Sequence, residues 1–170
     1  SMKIIPAFYF NPKSLENLGR DHRENFLSAQ PFPHAVIDDF LPRAILDILV
    51  KEFPSPSDIE WELHGPGPAR LVKNRHLNKL ASSDESSFPP LTRHLMNQLN
   101  SRAFLTFLAE LTGIQGLLPD PSFNGCGLHS TGRGGKLMIH IDANRHPYGK
   151  PFHQRLNAIL YLNKDWKEEY

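Results

Sequence analysis

The sequence predicts an α+β domain built on an antiparallel sheet. Apolar residues recur at helical spacing in four segments before residue 112. After Pro121 the texture changes to short, glycine-punctuated runs of period two. A length of 170 residues reads as one domain. Helical support is expected over about 1–120, and a β core from about 121.

Each element has its own signal. Leu15, Leu18 and Phe26, with mixed charge between them, predict a surface helix over residues 14–28, ended by Pro31 and Pro33. Residues 34–38 (HAVID) predict a short strand. Leu41, Ile45, Ile48, Leu49 and Phe53 fall at helical spacing, with Pro42 where a first turn tolerates it and Pro54 as the stop. Residues 54–70, with HGPGP at their centre, and residues 82–90 predict loops. Leu91, Leu95, Met96 and Leu99 form a third helical stripe. Phe104, Leu105, Leu108 and Leu111 form a fourth, with Ser101 as its cap and Gly113 as its end. Residues 131–135 (TGRGG) predict a hairpin turn. They lack the ending of a phosphate loop and precede a strand rather than a helix.

Composition narrows the function classes. The chain is 39% hydrophobic and 22% charged, with a mean hydropathy of −0.41, which is globular rather than disordered. Nineteen basic against 18 acidic side chains give +1, so no basic excess points to a nucleic-acid partner. No apolar run approaches the ~18 residues of a membrane span, and none near the N-terminus resembles a secretory signal. The single cysteine, Cys126, cannot form an internal disulfide. The expectation is a cytoplasmic protein, with Cys126 as a packing residue.

Two period-two runs carry the chemistry. Over residues 136–142, Leu137, Ile139 and Ile141 share one face, and Lys136, Met138, His140 and Asp142 share the other. Over residues 155–163, Leu156, Ala158, Leu160 and Leu162 share one face, and Arg155, Asn157, Ile159, Tyr161 and Asn163 the other. The apolar faces are expected against the upstream helices. The second faces mix Met138, Ile159 and Tyr161 with a narrow set of polar groups. That mixture suits a cavity wall better than a wetted surface. His140 and Asp142, two apart, place an imidazole and a carboxylate within reach of one ion. Two histidines and one carboxylate on one side of Fe(II) leave positions open for oxygen and a co-substrate. Neither a zinc H-E-x-x-H nor a cysteine cluster is present. Arg155, on the polar face, is a candidate for binding an anionic substrate.

The stretch GLHSTGRGGKLMIHIDAN, with the later RLNAILYLNKDW, resembles the 2-oxoglutarate and Fe(II)-dependent dioxygenases of the prolyl 4-hydroxylase-like group. PFPHAVIDDFLP and FLAELTGIQGLLPDP also resemble bacterial members, so the likeness runs from about Pro31 onward. The resemblance implies a double-stranded β-helix, a cupin-like jelly-roll, with the N-terminal helices packed on the outer sheet face. It implies that His140 and Asp142 are two of three iron ligands. It implies that Tyr161 contacts the distal carboxylate of 2-oxoglutarate. Asn157 and Ile159 share the Tyr161 face and are expected in the same pocket. His129 lies about where some relatives place a side chain that touches the co-substrate.

The implied activity consumes O2 and 2-oxoglutarate, releases succinate and CO2, and hydroxylates an unactivated C–H bond; ascorbate is an accessory reductant in such systems. A protein prolyl residue and a free or carrier-bound amino acid are both compatible substrates. Related halogenases carry a small residue where Asp142 stands, so hydroxylation is the expectation. The family pattern continues past DW with a Gly-Gly strand, a distal histidine ligand and a basic anchor for 2-oxoglutarate. The sequence ends at Tyr170 without them, and His146 and His153 read as loop residues. The expectation is a domain whose C-terminal strands are missing. The competing class is a non-catalytic jelly-roll binding module lacking a complete iron site; a cupin-like metal hydrolase is a third.

Overall fold

Asn11 opens the helical part of the chain. In the computed structural model, which describes residues 8–64, 76–121, 123, 126–137, 152–164 and 167, its side chain accepts the Ser14 N–H at 3.0 Å. Pro12 then supplies a helical φ without a missing hydrogen bond, and α1 runs over Pro12–Ser28. Three more helices follow: α2, Arg43–Glu52; α3, Pro90–Leu99; and α4, Arg102–Thr112. All four fall on the apolar stripes that the sequence presents. Ser101 accepts the Phe104 N–H at 3.4 Å as the N-cap of α4, and Gly113 ends that helix at φ +76, a conformation glycine adopts without penalty.

Two compact units result, Ser1–Glu52 with Pro89–Pro121, and Phe53–Phe88 with Ser122–Tyr170. In the first, α1 packs along α4. The approach is close at Gly19, where a Cβ would stand 2.7 Å from the Phe107 carbonyl oxygen. Arg20 bridges the two helices, pairing with Glu16 and, at 3.1 Å, with Glu110. Exposed as it is, this network adds little to stability. The core holds the buried Phe10, Phe104 and Phe107, with Phe104 and Phe107 ring centroids 5.4 Å apart. Leu49 of α2 and Leu91 of α3 are each 1% exposed. Residues 8–10 are held by α3: Gln98 accepts the Phe10 N–H at 3.3 Å, and His94 Nε2 bonds the Phe8 carbonyl.

The start of α3 is capped from a distance. Its N-cap residue, Pro89, makes no side-chain cap bond. Glu52, the last residue of α2, accepts both the N–H and, at 2.7 Å, the hydroxyl of Thr92. A carboxylate there also meets the positive end of the helix dipole. Thr92 is buried, so losing its acceptor strands a donor. Glu52→Ala is expected to cost about 1–2 kcal/mol and Glu52→Gln less, read as shifts of the urea midpoint.

The second unit holds three strands, β1 Glu62–His64, β2 His76–Ser82 and β3 Leu128–Leu137, in the order β1-β2-β3 with both pairs antiparallel. Between β2 and α3, Asp84 caps a 3-10 turn, Glu85–Ser87, by accepting the Ser86 N–H at 3.0 Å. Ahead of β1, the Ser55 N–H donates to Asp58 at 2.7 Å and holds that carboxyl below its usual range. Trp61, half-buried, donates to the Ser55 carbonyl at 3.1 Å.

Several local expectations change. Residues 34–37 carry no strand assignment, Asp38 lies in a turn, and Val36 is exposed; β-propensity without a partner strand makes no sheet. β1 lies inside a segment expected to be loop, and β2 was not foreseen. Its sequence, HLNKLAS, has no β-branched residue and is a strand because it pairs on both edges. Residues 131–135 are not a hairpin turn. They sit within β3, where the register slips between Leu77 and Lys79 of β2, so the glycine-rich run forms an irregularity in a continuing strand. Cys126 is exposed rather than packed. Residues 155–163 carry no strand assignment, yet their alternation is visible in burial. Leu156, Leu160 and Leu162 are half-buried and Arg155, Asn157, Ile159, Tyr161 and Asn163 are exposed, but Ala158, expected with the leucines, is exposed too.

Candidate functional site

The antiparallel register sorts the sheet into two faces. Glu62 of β1 and His129 of β3 flank Ala81 of β2 in one row, and Lys79 stands opposite Thr131 in the next. Directly opposed residues share a face, as do residues two apart. Glu62, Lys79, Ala81, His129 and Thr131 therefore lie on one side. Leu80, Ser82, Leu128 and Ser130 lie on the other. Burial follows the same division. Ser82 and Leu128 are buried at 4% and 6% exposure, while Glu62, His129 and Thr131 are exposed.

The position of β3 in that sheet depends on Gly127. Its φ is +148, and a Cβ would fall 2.1 Å from the Ser82 carbonyl oxygen. The backbone approaches the end of β2 at a distance only a residue without a side chain allows. Four residues earlier, the buried Phe123 adopts φ +49 and its carbonyl accepts the Cys126 N–H at 3.1 Å. The chain thus enters β3 with Leu128 turned inward and His129 outward.

The candidate residues divide into two groups. His140 and Asp142 lie outside the described residues. His129, Arg155, Asn157, Ile159 and Tyr161 are described, all belong to the second unit, and all are exposed. Ile159 and Tyr161 retain 65% and 71% of their accessible surface, high for an aliphatic and an aromatic side chain. Among the described residues, no three His, Cys, Asp or Glu side chains are grouped to hold a metal ion.

The sequence reading did not single out Lys79. It is half-buried, and it makes no hydrogen bond or ion pair among the described residues. With the Thr131 hydroxyl opposite and the His129 imidazole diagonal to it, the face offers a cation and hydrogen-bonding groups. The signal in the sequence was the spacing of Lys79 and Ala81, which is legible only once β2 is known to be a strand. No helix among the described residues is long and apolar enough to cross a membrane. Comparison of the chain with protein-family models, with curated proteins and with solved structures finds no match in any of the three.

Proposed function

We propose that this protein is a 2-oxoglutarate- and Fe(II)-dependent oxygenase of the prolyl 4-hydroxylase-like kind. It hydroxylates an unactivated C–H bond of a prolyl residue or other amino acid and releases succinate and CO2. The observation that carries the reading is the pairing of His140-Ile141-Asp142 with Tyr161 in YLNKDW. Within this proposal the chain folds as a jelly-roll with helical support and works in the cytoplasm.

The residues have distinct tasks. His140 and Asp142 would hold the iron, which when bound supplies oxidising power that no side chain has. A third ligand, a histidine in the family pattern, completes the set. The Tyr161 hydroxyl donates to the distal carboxylate of 2-oxoglutarate. Ile159 keeps that pocket dry, and Asn157 and His129 hydrogen-bond its occupant. Arg155 attracts an anionic part of the substrate.

The test is an anaerobic titration with Fe(II) and then 2-oxoglutarate. A visible charge-transfer band appearing only with both is the expected result. Its absence overturns the oxygenase reading for this chain and favours the non-catalytic binding module. Co-purified zinc without 2-oxoglutarate binding favours a metal hydrolase.

A further inference from the structure

We draw no further inference here: the strongest candidate, the exposed surface patch after α1 that carries Phe32 and Val36 at 63% and 79% exposure beside His34, is an apolar stretch, and nothing in the structure shows what covers it.

Discussion

Alanine at position 142 is expected to remove succinate formation. Asp142 is the only carboxylate in the proposed iron set, and the only anionic ligand available to offset the charge of the metal. Removing a group that merely orients a metal ligand already costs about 10–100-fold, so loss of the ligand itself should exceed the upper end of that range. His140→Ala is expected to do the same through loss of the imidazole. Succinate release is followed by NMR in protein matched to wild type by far-UV circular dichroism. The charge-transfer titration is repeated on each variant to separate lost metal binding from lost turnover. Wild-type turnover in Asp142→Ala would dismiss this residue as a ligand and remove the main support for the proposed activity.

Gly127→Ala is the substitution with the largest expected effect on stability. Two costs add. A φ of +148 is unfavourable for any residue with a Cβ, at about 1–3 kcal/mol. The Cβ must also displace the Ser82 carbonyl, which it would meet at 2.1 Å. This is backbone inside a ladder rather than a side chain that can turn away, so overpacking adds a further ~1–3 kcal/mol. The sum, about 2–6 kcal/mol, is a large part of the ~5–15 kcal/mol that ordinarily holds a domain together. Gly116→Ala is the control. It too has a positive φ, +73, but nothing lies within 4 Å of its Cβ position, so strain alone should act. Denaturant midpoints should rank wild type, Gly116→Ala, Gly127→Ala in falling stability, with the early loss of amide protection in the last variant concentrated in β2 and β3. Equal midpoints for the two variants would show that the close approach to Ser82 is not what requires a glycine.

How far the fold was legible depended on how local its signals are. Helices satisfy their own backbone, so the stripes at Leu91 and Leu95 and at Phe104 and Leu111, the Ser101 cap and the Gly113 end could all be read in line. The cap of α3 could not, because Glu52 reaches Thr92 from another helix. Strands depend on partners distant in sequence, and there local signals misled in both directions. HAVID has the composition of a strand and pairs with nothing described, whereas HLNKLAS lacks that composition and lies at the centre of the sheet. TGRGG reads as a turn by its glycines, but only Thr131 of it pairs with β2, and the ladder resumes beyond it at Lys136.

The same division holds at the candidate site. Period-two spacing alone separates Arg155, Asn157, Ile159 and Tyr161 from Leu156, Leu160 and Leu162, whereas Ala158, which the same spacing groups with the leucines, is exposed. The His140 and Asp142 pairing is likewise a matter of spacing. Only tertiary structure set Lys79 opposite Thr131 and placed Glu62 and His129 on either side of Ala81. Cross-strand neighbours are chosen by register, and register is set by which distant segments bury their apolar faces together, as Leu80, Ser82 and Leu128 share one face here, and by where a glycine lets two backbones meet.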